Sequence, residues 1–491
     1  MALLTVIRGE EHREVPFTAP MLLADALAMC GIPHHQPCGG HGRCGKCAAE
    51  ITGCIAPPTD AELRAGTRLT CQTMLLGDAS VVLPDTASMQ IETGSDAPLP
   101  VRDPFPGRYG AAVDIGTTTV VLQLIELSTG RPLSAAAVMN PQTAVAHDVI
   151  GRIDAAMHGQ GERLRAMVES AVEALLRDAC RASGVALQDV SAMVVTGNTT
   201  MLYLLTGRDA SSLAHAPFAA DCLFGCHATL LGIPVYYPPC MHAFVGADVT
   251  CAVLASCLTD SHEPALLCDL GTNGETALYA HGKLYVASAA AGPAFEGAGI
   301  SCGCASIAGA VDCVTVAGGR LHAHTIGGSA PVGLCGSGLI DAVACLLALG
   351  EIEPDGSVDD NLLPVTEGVS LAAGDIRAVQ LAKAAIAAGA ETLLDSASLT
   401  ADDVAHVYLA GGFGTRLNLH SAAAVGLLPR VWLSRTKALG NAALTGAAML
   451  LTDRSLLGKA EAAASRAVHV DLGGNDLFAE KFMRSMAFPD M

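Results

Sequence analysis

Residues 37–47, PCGGHGRCGKC, hold three cysteines, four glycines, one histidine and two basic residues. Thiols so crowded, with no aliphatic or aromatic neighbour to pack against, suggest chemistry rather than core. The run GHGRCGK at 40–46 nearly makes a phosphate loop, G-x-x-x-x-G-K-[ST]. Cys47 stands where a Ser or Thr hydroxyl must hold Mg2+, however, and no hydrophobic strand leads in, so that reading fails. Cys44-Gly-Lys-Cys47 alone would suit a redox dithiol, but this leaves Cys38 without a role.

Three of four ligands to a 2Fe-2S cluster is the reading that uses every cysteine. Cys38, Cys44 and Cys47 are spaced C-x5-C-x2-C, one residue longer at the first gap than the plant-type pattern. Cys71, in RLTCQTML, is the expected fourth ligand, with Cys30 and Cys54 as competitors. The glycines let the loop wrap closely and offer backbone N–H groups to the sulfurs. A Rieske centre needs two histidine ligands, so His41 is expected to be a polar loop residue. The loop is thus read as a β-grasp ferredoxin site.

A second device occurs twice. VDIGTTT at 113–119 and CDLGTNGET at 268–276 each run from a hydrophobic strand through Asp-x-Gly-Thr into a further β-prone segment. The glycine permits a tight turn whose N–H groups and threonine hydroxyls face an anion. An aspartate at the strand end can hold Mg2+ or orient a water. The pair, together with AGGFG at 410–414, resembles the actin-like ATPase superfamily of sugar kinases and heat-shock chaperones. That resemblance implies that Asp114, Gly116, Thr117 and Thr118 form the first phosphate hairpin. Asp269, Gly271, Thr272, Asn273 and Gly274 would form the second, and Gly411 and Gly412 the adenosine turn.

These residues need a framework, and the chain is long enough to supply one. Of 491 residues, 51% are hydrophobic and 15% charged, enough for large cores. The net charge of −20 argues against nucleic acid, and no apolar run reaches membrane-spanning length. Charge at Arg8 and Glu10 interrupts any leader peptide, so the expectation is a reducing cytoplasm, where the eighteen cysteines favour metal or redox roles. Residues 1–85 read as a small α+β domain and 86–109 as a Pro/Asp/Gly-rich linker. Alternating strand-like and helix-like stretches follow, an α/β pattern expected to form a two-lobed actin-like domain of duplicated ribonuclease H-like type. Lobe 1 is placed at 110–245 and lobe 2, with a C-terminal return segment, at 246–491.

An electron carrier joined to an ATPase makes sense where an electron must go uphill. Each ~59 mV costs a factor of ten in a one-electron equilibrium, and plant-type clusters lie near about −400 mV. The combination resembles the reductive activators of corrinoid proteins. NPQTAVAHDVIGRI, VVTGNTTMLYLL, AAAGPAFEGAGISCG, GLCGSGLIDAV and YLAGGFGTRLN carry the likeness over nearly the whole chain. It implies ATP-dependent return of Co(II) to Co(I) in the corrinoid protein of a methyltransferase system, with an upstream electron donor and a homodimer as further expected partners. Gln142 would either orient the attacking water or bridge the lobes, and Asp148 is placed with it. Glu296 and Ser301 would approach ATP or the corrinoid, or serve packing alone. Two rival functions are a small-metabolite kinase with a regulatory cluster, and an activator of another low-potential enzyme.

Overall fold

Alternating side chains build the first sheet. In the computed structural model, which describes residues 2–9, 11–29, 32, 42, 47–83 and 97–489, β1 (Ala2–Arg8) pairs antiparallel with β2 (Glu11–Phe17). Leu4, Val6, Val15 and Phe17 point inward, as period-2 patterning requires. The short β3 (Met21–Leu22) leads into α1 (Leu23–Met29). Then come β4 (Glu50–Ile55), α2 (Asp60–Ala65) and β5 (Met74–Val82), whose β5 pairs with β1, β3 and β4. Thr59 and Glu62 form a capping box at the start of α2. Buried Glu62 also accepts hydrogen bonds from Leu69 N at 3.1 Å and Thr73 Oγ1 at 2.6 Å. One carboxylate therefore braces the turn that carries Cys71.

The first lobe is a six-stranded sheet, β10-β11-β9-β6-β7-β8. Its strands are β6 (Tyr109–Ile115), β7 (Thr119–Glu126), β8 (Arg131–Met139), β9 (Val190–Gly197), β10 (Cys226–Leu230) and β11 (Ile233–Tyr237). Helices α3 (Val149–Ala155), α4 (Gly161–Ser183), α5 (Thr199–Thr206) and α6 (Ser211–Ala214) accompany it. One face of α4, including Leu164, Val168, Val172, Leu175 and Leu176, is buried against the sheet, as its 3.6-residue periodicity implies.

The second lobe repeats the plan. After α7 (Ala247–Ala255) its sheet runs β21-β20-β12-β13-β14-β22. It comprises β12 (Ala265–Leu270), β13 (Gly274–Ala280), β14 (Lys283–Ala289), β20 (His406–Ala410), β21 (Thr436–Gly440) and β22 (Val468–His469). Inserted between β14 and β20 are β15 (Ala310–Ala317), β16 (Arg320–Thr325), β17 (Gly333–Leu334), α8 (Gly336–Leu349), β18 (Leu362–Thr366), β19 (Val369–Ala372) and α9 (Ala373–Ser396). The chain ends with α10 (Leu419–Ala424), α11 (Ala442–Thr452), α12 (Ser455–Arg466) and α13 (Asp476–Arg484). In both lobes the first strand pairs antiparallel with the second and parallel with a later one: β6 with β7 and β9, β12 with β13 and β20. This is the duplicated ribonuclease H-like plan of an actin-like ATPase.

Two helices cross between the lobes. A Cβ on Gly446 of α11 would lie 2.0 Å from the Cys251 carbonyl oxygen of α7, so only glycine permits this approach. Leu444, Ala447 and Leu451 of α11 pack with Ala112 and Val121 of the first sheet, while Val249 and Ala252 of α7 pack with Leu267 and Ala277 of the second.

The segment that leads into the first lobe is held to it. From Leu99 onward it is fastened: Leu99 N donates to Gly130 O at 2.9 Å, Phe105 N to Leu451 O at 2.9 Å, and Arg454 pairs with Asp103 at 2.6 Å. Residues 84–96 lie outside the described set. The N-terminal domain rests on the first lobe through α1, which packs on the turn Pro141–Ala144, and through Asp25–Arg163 at 3.4 Å. A half-exposed ion pair of this kind contributes little, on the order of 0–1 kcal/mol.

Candidate functional site

The β4–α2–β5 framework brings Cys47 and Cys71 together. Both are buried, they are not joined in a disulfide, and their sulfurs are 3.2 Å apart. The two share a proton, so Cys47 is pulled down to about 6 by its hydrogen bond with Cys71, and Cys71 is pushed up by the same contact. The contact thus favours the thiolate form of Cys47, the form that ligates a metal. The Gly42 N–H donates toward the Cys71 sulfur. Gly42 has φ +65°, and a Cβ there would come within 2.8 Å of Ala61 Cβ, so Gly42 itself sits close against α2. Tetrahedral metal–thiolate bonds of about 2.3 Å place two sulfurs on one metal roughly 3.8 Å apart. Cys47 and Cys71 thus fit one iron of a 2Fe-2S cluster after a small separation. Cys54 is exposed on β4. Cys38, Cys44 and Cys30 lie outside the described residues.

A cleft of about 280 Å³ lies between the lobes. It is lined by Asp114, Gly116, Thr117 and Thr118 from the β6–β7 turn, by Asp269, Gly271, Thr272 and Asn273 from the β12–β13 turn, and by Gly411 and Gly412 after β20. Gly274, the first residue of β13, completes the second turn. Gly411 has φ +89°, and a Cβ on it would lie 2.8 Å from Asp269 Oδ1. Only glycine lets that turn pass over the aspartate.

The charges in the cleft are strongly coupled. Burial raises Asp114 to about 6 against the hydrogen bond from Asn441 Nδ2, at 2.9 Å. Burial, then Asp114 and Glu296, raise Asp269 to about 7. Asp248, at the start of α7, is pushed up to about 8 by burial and by Asp114 and Asp269. Glu275 is raised well above the carboxylate range by burial and by Asp248 and Asp269. Burial and crowding favour the protonated carboxyls around these two glycine turns, and a divalent cation such as Mg2+ would favour the ionised ones.

Glu296 joins the two turns. It accepts a hydrogen bond from Thr118 Oγ1 of the first and, at 2.8 Å, from Thr272 Oγ1 of the second. Phe295 beside it stacks on Phe413, with ring centroids 5.2 Å apart and planes 6° from parallel. Asn198 caps α5 and donates to Thr117 Oγ1 at 3.1 Å.

Three further residues singled out in the sequence are not among those lining the cleft. Gln142 is fully buried behind the first turn, not on the cleft: its Nε2 donates to Leu164 O at 2.9 Å and its Oε1 accepts from Arg152 Nη1 at 3.1 Å. Ser301 is exposed outside the cleft, and its N–H and hydroxyl donate to Asp375 at 2.7 and 2.5 Å. Asp148 caps α3 through Gly151 N at 2.7 Å.

Sequence reasoning missed Asp248, Glu275, Asn441 and Arg152. Asp248 sits in apolar VGADVTCAVL, where a lone carboxylate was the available signal; Asn441 looked like an ordinary helix cap.

Comparison with known proteins agrees in every part of the chain. A 2Fe-2S iron-sulfur cluster binding domain model matches residues 6–76. The RACo middle region matches 109–261, and the C-terminal domain of RACo, the ASKHA domain, matches 263–491. The corrinoid activation enzyme RamQ of Eubacterium limosum is 30% identical, covering 98% of each chain. The Co(II) methylated amine-specific corrinoid protein reductase of Methanosarcina barkeri is 27% identical over 71% of each. Among solved structures, a reductive activator for corrinoid, iron-sulfur protein superposes with a TM-score of 0.72 at 27% identity, covering 99% of this chain and 98% of that one.

Proposed function

The chain belongs to the family of reductive activators of corrinoid proteins, and from that premise we infer how its own residues serve the reaction. The protein is an ATP-dependent reductase that returns the inactive Co(II) of a corrinoid protein to Co(I), the state competent for methyl transfer. The observation that carries the reading is one chain combining a paired-thiol site with a cleft built from two phosphate turns. When bound, the 2Fe-2S cluster supplies a one-electron donor, and Mg2+ screens the phosphate charge.

Cys38, Cys44, Cys47 and Cys71 are assigned as cluster ligands; the 3.2 Å approach of Cys47 and Cys71 supports placing that pair on one iron. Asp114 and Asp269 are assigned to Mg2+ and to the attacking water, directly or through hydration, because they end equivalent strands facing the same cleft. Gly116, Thr117, Thr118, Gly271, Thr272, Asn273 and Gly274 receive the phosphates, and Gly411 and Gly412 the adenosine. Glu296, held between Thr118 and Thr272, orients the water that attacks the terminal phosphate. Ser301 is assigned to the corrinoid-facing surface, since it is exposed and anchored by Asp375 outside the cleft.

ATP binding and hydrolysis act by differential affinity: the closed lobes grip the Co(II) partner, and opening releases the Co(I) product. A separate reductant reloads the donor, and the protein works in the cytoplasm, as a homodimer, without nucleic acid or membrane; among the described residues no helix is long and apolar enough to cross a membrane. The test is hydrolysis with and without a Co(II) corrinoid protein. Slow basal turnover should rise with that partner and vanish in Asp114→Ala and Asp269→Ala, both retaining the cluster. Phosphorylation of a sugar or alcohol, with no response to the corrinoid protein, would replace this reading with a kinase.

A further inference from the structure

Arg152, on α3, is fully buried; among the described residues no carboxylate lies within ion-pair distance of it, and Asp148 and Glu296 favour its charge only from farther off. Its guanidinium instead donates to neutral acceptors: Nε to Ala146 O at 2.9 Å, Nη1 to Gln142 Oε1 at 3.1 Å, and Nη2 to Thr117 O at 2.5 Å. Met201 Sδ lies 3.0 Å from Nη1. Enclosing a cation this way is costly, and a purely structural contact would manage with a neutral donor. The position explains the charge. Thr117 is the tip of the first phosphate turn, and Arg152 lies directly behind it.

Peptide geometry shows what the contact does. In a trans peptide the carbonyl and the following N–H point to opposite sides. Asn140 Nδ2 holds Gly116 O at 2.8 Å, and Arg152 holds Thr117 O, both from the interior. The N–H groups of Thr117 and Thr118 are thereby turned toward the cleft, forming a small concavity of donors suited to an anion. A buried positive charge behind that concavity polarises the intervening peptide in the direction that favours phosphate, and polyphosphate in turn compensates the cation.

We propose that Arg152 is a positioning residue for ATP, holding the first phosphate turn in its anion-binding orientation, with Gln142 fixing the guanidinium from behind. This rests on the ATP reading of the cleft. Arg152 touches no reacting atom in this account. Its effect belongs to phosphate affinity and leaves the adenosine end, which lies on the second lobe, unchanged.

The experiment compares equilibrium binding of adenosine and Mg-ATP to the full-length, cluster-loaded protein and to Arg152→Met, Arg152→Lys and Gln142→Leu. Wild type should bind ATP far more tightly than adenosine; absence of that preference would overturn the ATP reading itself and this role with it. Arg152→Met should lose roughly ten- to a hundredfold in ATP affinity while adenosine changes less than about twofold. Arg152→Lys should recover part of the loss, because it restores the charge without the fork. Unchanged ATP affinity in Arg152→Met, or equal loss for both ligands, would overturn the proposal. Should Arg152→Met not fold, Gln142→Leu decides: a phosphate-selective loss of about threefold supports the role, and no loss or an equal loss for adenosine refutes it.

Discussion

Thr118 and Glu296 are hydrogen-bonded across the cleft, hydroxyl to carboxylate, although 178 residues separate them in the chain. Thr118 lies in the β6–β7 turn of the first lobe, and Glu296 comes from the 3-10 turn Pro293–Glu296 of the second lobe. With its other oxygen Glu296 takes the Thr272 hydroxyl. A carboxylate thus occupies the point where both turns converge, the place proposed above for the phosphates of ATP.

This position predicts opposite effects on binding and turnover. Glu296→Gln keeps the side chain's size and one accepting oxygen but removes a negative charge from the cleft. ATP should bind more tightly while hydrolysis slows about a hundredfold, the usual scale for removing a group that orients or deprotonates water. Steady-state kinetics that show lower kcat together with lower KM would support the assignment; unchanged kcat would remove Glu296 from the reaction.

The cleft carboxylates make stability depend on pH in a defined direction. Asp114, Asp269 and Asp248 have folded-state values raised to about 6, 7 and 8 from an ordinary 3.8. Between pH 4 and 8 the folded state therefore binds more protons than the unfolded one, and stability falls as pH rises through that window. Without nucleotide and Mg2+, the melting temperature should decline from pH 5 to pH 8.5. Asp248→Asn should flatten the decline, raising the melting temperature near pH 8.5 and leaving it nearly unchanged at pH 5. Thermal scans that show no pH-dependent gain in this variant would contradict the coupling.

The cysteine assignments separate cleanly by variant. Cys47→Ala and Cys71→Ala should each lose most of the bound iron and the visible absorption of the cluster. Cys54→Ala, which removes an exposed thiol on β4, should retain both. Iron and sulfide analysis of anaerobically purified protein is the check, and full loading of Cys71→Ala would disqualify it as a ligand.

Most of the framework was legible in sequence because local patterns and tertiary needs agree. The alternation in LLTVIRG and the apolar stripe of α4 both point to the elements that form. The two D-x-G-T turns were legible because a strand must end where such a turn begins, and both open on one cleft. Proximity across the chain was not legible. Gln142 shares a string with residues near the first turn, yet its amide faces Arg152 and Leu164 behind it. Asp248 and Asn441 reach the cleft only because α7 and α11 cross between the lobes, and nothing local to either residue announces that crossing. Nor does Pro/Asp/Gly-rich composition show that Leu99 and Phe105 pair with the backbone of the first lobe and of α11.

In the reaction proposed above, ATP turnover in the cleft drives an electron from this chain to cobalt. The most direct measurement follows the Co(II) and Co(I) absorption bands of a purified corrinoid protein, under anaerobic conditions, with the reduced cluster-loaded activator. Co(I) should accumulate with Mg-ATP and not with ADP, and should fail to form with Asp269→Ala even though its cluster is fully reduced. Equal Co(I) formation without ATP, or with Asp269→Ala, would show that the cleft does not drive the transfer.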